Sequence, residues 1–99
     1  MAKIVKEAPL YVESVDNQDA SSHMIVSYPK SFDDIQILIS NLRDGQSVIF
    51  NLDGVDGVSA QRMLDFMSGA AFALGGSMQR IQNAMFLVTH KGVGISVRK

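Results

Sequence analysis

The chain has 99 residues, of which 46% are apolar, and a net charge of −1. That is one small domain with enough apolar content for a core, and it excludes a disordered chain. The near-neutral balance argues against a broad nucleic-acid footprint, and the absence of cysteine excludes disulfides, thiolate metal sites and a cysteine nucleophile.

No run of about 18 apolar residues exists, so no helix is predicted to span a membrane. The start, MAKIVKEAPL, holds only Ile4–Val5 as an apolar run before Lys6, Glu7 and Pro9. That is too little for a secretory signal or a membrane-surface helix, and the chain reads as cytosolic. Residues 1–22 read as a flexible N-terminal segment, with the polar run Asp16 to Ser22 as its linker. Within it, Pro9-Leu10-Tyr11-Val12 has the pattern of a short strand or an extended docking segment. The folded domain is expected over residues 23–99.

Met24 to Tyr28, stopped by Pro29, reads as a first strand. Ser31 then caps a helix and Asp34, three residues on, answers it as a capping-box-like pair. Phe32, Ile35, Leu38, Ile39 and Leu42 share one face, and Gly45 supplies the stop. Ser47 to Asn51 is short, β-branched and apolar, the mark of a buried strand.

A second helix is expected over Ser59 to Gly76, with Ser59 as its cap and Val58 and Met63 as a hydrophobic staple. Its apolar residues occupy two stripes. Leu64, Met67, Ala71 and Leu74 form one; Met63, Phe66, Ala70 and Ala73 form the other. A helix apolar over most of its circumference has to be buried on more than one side. So short a chain has too few elements to cover both. The second side is therefore expected to meet another copy of the protein. Gly69 sits in the middle of this helix, where glycine costs about 1 kcal/mol against alanine. It serves either close packing on the chain's own sheet or the approach of a partner helix.

Three short strands are predicted to close the domain, at Met78 to Gln82, Met85 to Thr89 and Gly92 to Val97. Asn83-Ala84 joins the first two as an antiparallel hairpin. An uninterrupted ladder places Gln82 opposite Met85 and Arg80 level with Leu87, with Phe86 as a diagonal neighbour. The fold class is α/β, an α+β sandwich: two helices on one face of a mixed, about five-stranded sheet, in the order β-α-β-α-β-β-β.

The residues that carry chemistry elsewhere do not converge here. His23 and His90 have no ligand spacing to carboxylates. Asp53, Asp56 and Gly57 lack the alternation and terminal glutamate of a calcium loop. No phosphate loop, dinucleotide fingerprint or nucleophile elbow is present. No cofactor, metal or catalytic residue is expected. Arg80 and Phe86 are the pair of interest, since a guanidinium beside a ring can grip an extended peptide bearing acidic and apolar groups; the alternative is a core phenylalanine and a solvated arginine.

The two segments PKSFDDIQILISNLRDGQSVIFNL and DFMSGAAFALGGSMQRIQNAMFLV resemble the core domain of the SepF cell-division family, and the resemblance covers about Ile25 to Thr89. It implies a non-enzymatic adaptor that forms homodimers and can assemble further. It also implies binding of the C-terminal tail peptide of FtsZ at the division septum, with localisation at the division site on the cytoplasmic side. The family's basic and aromatic tail-binding residues match Arg80 and Phe86, and Met78 in the same hairpin joins them as a candidate. The family's self-association glycine matches Gly69, which places self-pairing at Met63, Phe66, Gly69, Ala70 and Ala73. Family members begin with an amphipathic membrane helix. Residues 1–22 here lack its apolar stripe, which argues against membrane association through them. The rival reading is a regulatory domain that senses a small ligand, since βαβ cores often do; it calls for a polar-lined pocket.

Overall fold

The structure is a computed structural model that describes residues 23–99. The expected flexible front and the Pro9–Val12 segment lie outside the described residues. Six elements follow one another: β1 (Met24–Ser27), α1 (Phe32–Arg43), β2 (Ser47–Asn51), α2 (Gly57–Ala73), β3 (Ser77–Gln82) and β4 (Met85–Thr89). The sheet has four strands in the order β1-β2-β4-β3. β1 runs parallel to β2, while β4 is antiparallel to both β2 and β3. Each helix is thus a crossover, α1 between β1 and β2 and α2 between β2 and β3.

Local chemistry explains most boundaries. The Ser31 hydroxyl accepts from the Asp34 backbone N–H, and the Asp34 carboxylate accepts from the Ser31 N–H, so the capping box is complete. At α2 the cap is Asp56, not Ser59: the Asp56 carboxylate accepts from the Ser59 N–H at 2.9 Å. Two capping residues lie three apart there, and the earlier one starts the helix. Val58 is consequently 75% exposed and forms no staple.

The predicted fifth strand at Gly92–Val97 is not a strand among the described residues. Gly92 takes φ +88, outside the extended region. The Thr89 hydroxyl donates to the Val93 carbonyl at 2.6 Å, and the Val93 N–H to the His90 carbonyl at 3.2 Å, which turns the chain at the end of β4. The sheet therefore has four strands where about five were expected.

The core lies between the helices and one sheet face. Ile35, Leu38 and Leu42 of α1 and Met63, Met67 and Ala71 of α2 bury against Val48, Phe50, Phe86 and Val88. Met63 corrects an expectation. Only 2% of it is exposed, so it belongs to the core and offers no surface to a partner. On the helical wheel it falls between the two stripes, close enough to Met67 to turn inward. The opposite sheet face carries Val26, Ile49 and Leu87 in one row across three strands, and no helix among the described residues covers it.

The caps give the stability a pH dependence. The hydrogen bond from the Ser59 backbone holds the Asp56 carboxyl below its ordinary 3.8, and the Lys30 backbone N–H does the same for Asp34. A folded-state value below the unfolded one means stability that is present above about pH 3.8 and lost as pH falls through the lowered value. Asp56→Ala should therefore melt lower than the unaltered chain at neutral pH, with the gap closing under acid. Asp56→Asn keeps a neutral cap and should lose the share of the pH dependence that Asp56 contributes, leaving that of Asp34. A gap that stays constant into strong acid would contradict this account.

Candidate functional site

The hairpin β3–β4 carries an irregularity that an uninterrupted ladder does not have. Gln82 faces Met85 as predicted, but the register shifts between Arg80 and Gln82. One extra residue, Ile81, is accommodated as a bulge, and Arg80 comes directly opposite Phe86 instead of Leu87. Directly paired residues point to the same face of a sheet. The bulge therefore moves Arg80 onto the helix-bearing face, beside the ring. The Arg80 guanidinium carbon lies 6.0 Å from the Phe86 ring centroid, at the outer edge of cation–π range. Its Nε donates to the Asn83 carbonyl at 2.6 Å, which spends one of five N–H donors on fixing the planar group at the turn. Asn83 itself sits at φ 47, a conformation asparagine tolerates.

Phe86 is 9% exposed and stacks on Phe50 at 5.4 Å between centroids, 21° apart. It serves as a floor, with Arg80 at the rim. Around them opens a groove of about 460 Å³ between the start of α2 and the hairpin. Leu52, Val55, Ala60, Leu64 and Ala84 give it apolar walls, and Asp53, Gln61 and Asn83 are its other polar edges. The wall from Leu52 to Val55 is tied by hydrogen bonds. The Leu52 N–H donates to the Ala84 carbonyl, the Val55 N–H to the Leu52 carbonyl, and the Asp53 N–H to the Asn51 side chain. Met78, the third expected peptide-binding residue, pairs with Val88 one row away and packs on the core. It does not line the groove.

The outer face of α2 is the second feature. Phe66 is 42% exposed and packs its ring on Phe32 at 4.7 Å, tilted by 43°. Arg62 lies over the other aromatic, 5.8 Å from the Phe32 centroid. Gly69 and Ala73 are exposed and Ala70 half-buried, all at helical spacing from Phe66. A Cβ built on Gly69 meets nothing within 4 Å. Packing against the chain's own sheet therefore does not require glycine there. Phe72 is the residue that the two-stripe reading misses: it is 87% exposed. It falls about 60° around the helix from Gly69, and an aromatic outside both stripes is the available signal.

Among the described residues no group of three or more His, Asp or Glu side chains could hold a metal ion, and no helix is long and apolar enough to cross a membrane.

Residues 24–95 match the family model described as Cell division protein SepF. The chain belongs to the SepF cell-division family. A SepF from Ruminiclostridium cellulolyticum is 40% identical over 73 residues, 74% of this chain and 47% of that protein. SepF 2 from Desulforamulus reducens is 43% identical over 75 residues, 76% of this chain and 47% of that protein. The chain thus spans about half the length of these curated relatives. In three dimensions it is similar to a SepF-like protein from Archaeoglobus fulgidus, with a TM-score of 0.74 at 15% identity, over 78% of this chain and 95% of the other. That likeness shows the fold: two helices on a four-stranded mixed sheet.

Proposed function

We propose that this SepF-family chain is a non-enzymatic adaptor of bacterial cell division. Two copies pair through the outer face of α2, and the groove at the hairpin takes the C-terminal tail peptide of FtsZ at the division site, on the cytoplasmic side of the membrane. The observation that carries the reading is the bulge that sets Arg80 opposite Phe86 at the rim of an apolar groove. An extended peptide with apolar side chains and a carboxylate fits such a groove, with the apolar groups over Leu64, Val55 and Phe86 and the carboxylate on the guanidinium.

The test is calorimetry of an FtsZ tail peptide with Arg80→Glu. Arg80 is exposed, so the fold should survive, and reversing its charge should weaken binding by at least about tenfold. Phe86→Ala is a poorer probe, because removing a buried phenylalanine costs about 3–5 kcal/mol of stability. Unchanged affinity in a folded Arg80→Glu chain would remove this groove from the function.

A further inference from the structure

Arg80 is one of two cations that reach the groove. The other is Lys30, which stands outside the hairpin, in the loop between β1 and α1. A Cβ built on Gly54 would lie 3.7 Å from the Lys30 Nζ, and Gly54 is part of the groove wall. With φ +87 and no side chain, Gly54 leaves the ammonium room to lie against the turn. The base of Lys30 is fixed. Pro29 before it is fully buried, and the Lys30 backbone N–H donates to the Asp34 carboxylate at 2.8 Å. The carboxylate that completes the α1 capping box thus also holds the lysine backbone.

Neither cation is spent on the chain's own carboxylates. Among the described residues, Lys30 and Arg80 make no ion pair. Asp34 and Asp56 lie nearby in sequence to Lys30 and Gly54, but each carboxylate accepts from backbone N–H groups at a helix start. Asp53 is the single carboxylate in the groove wall. Two positive charges therefore face one negative charge, a balance that suits an acidic guest.

The two cations are set apart. Arg80 and Phe50 both pair with Phe86, from opposite sides, so they lie two strand spacings or about 10 Å apart. The Arg80 Nε is tied to the Asn83 carbonyl and the Leu52 N–H to the Ala84 carbonyl, which brings the guanidinium level with Leu52. Gly54 lies two residues further on, in the turn closed by the Val55 N–H on the Leu52 carbonyl. Guanidinium and ammonium are therefore about 10–15 Å apart, the length of about three to five residues of extended peptide. Leu52, Val55, Leu64 and Ala84 line the groove they share.

We infer that Lys30 is a second anchor of the peptide site. The groove selects tail peptides with two carboxylates about three to five residues apart, one for Arg80 and one for Lys30, with apolar side chains between them. The inference rests on the groove being a peptide site and adds the charge spacing by which it chooses its guest.

Calorimetry of the FtsZ tail peptide tests it. Lys30 is exposed and its capping contact is made by its backbone, so Lys30→Gln should keep the fold. Binding should weaken about three- to fivefold, with the loss shrinking at high salt. Lys91→Gln removes the same charge at Gly75, outside the groove, and should leave affinity unchanged. Peptides with each Asp or Glu neutralised in turn should separate the anchors. One such change should weaken binding to the unaltered chain but not to Lys30→Gln; another, about three to five residues away, should be silent only against Arg80→Gln. Unchanged affinity in Lys30→Gln beside a loss in Arg80→Glu, equal losses in Lys30→Gln and Lys91→Gln, or a single carboxylate answering to both cations would each overturn the second anchor and leave the adaptor reading standing. A tail peptide that does not bind the unaltered chain would overturn the adaptor reading and this inference with it.

Discussion

Phe66→Asp should sediment as a monomer at concentrations where the unaltered chain is a dimer. Phe66 stands at the centre of the outer face of α2, between Arg62 one turn before and Gly69 and Ala70 one turn after, with Ala73 two turns on and Phe72 exposed at the flank. Burying a phenylalanine is worth about 1.5–3 kcal/mol. A two-fold interface counts each contact twice, and with 42% of Phe66 still exposed in one copy, covering it on both sides would contribute about 1–2.5 kcal/mol to the pair. An aspartate there removes that contribution and sets two carboxylates close together across the axis, with a desolvation cost on top. The dimer constant should weaken by at least about a hundredfold. Phe66 also rests on Phe32, so Phe66→Ala serves as the control for fold stability. Gly69→Ala separates the two roles further: the added methyl meets open space in one copy and should firm the helix by up to about 1 kcal/mol, while it crowds a partner helix. A Phe66→Asp chain that stays dimeric would move the interface elsewhere, with the uncovered sheet face the next surface to test.

The second large effect is on the fold itself. Phe50→Ala should cost about 3–5 kcal/mol, a major part of the 5–15 kcal/mol that holds a typical domain. Phe50 is fully buried on β2, the strand hydrogen-bonded on both edges, and it stacks on Phe86. Its loss should lower the melting temperature by about 12 °C or more. It also removes the support beneath the groove. A double-mutant cycle with Phe50→Leu and Phe86→Leu should return a coupling of about 0.5–1.5 kcal/mol for the stacked pair. Additive costs would show that the stack is proximity without energy.

Features set by neighbours along the chain are legible in the residues themselves. The capping box of Ser31 and Asp34, the buried strand Ser47–Asn51 and the helix stop at Gly45 depend on residues within four positions of one another. The start of α2 is harder, because Asp56 and Ser59 are both good caps and only the geometry of the preceding turn chooses between them. Gly92 to Val97 has the look of a last strand; the left-handed backbone at Gly92 and the tie from Thr89 to Val93 are tertiary facts. The site shows the same division. Arg80 and Phe86 stand out from the hairpin and the family pattern, yet the bulge that sets them face to face has no local signature at Ile81. Met63 and Phe66 lie three residues apart in one apolar stripe, and only the position of the sheet decides that one goes inside and the other stays out.

The most direct measurement is a titration of the isotope-labelled chain with the FtsZ tail peptide, followed by amide chemical shifts. The largest changes should fall on Val55, Leu64, Arg80, Asn83 and Ala84, with the Arg80 side-chain Nε–H shifting as a carboxylate arrives. Changes confined to Val26, Ile49 and Leu87 on the uncovered sheet face, with the groove silent, would contradict a peptide site at the hairpin.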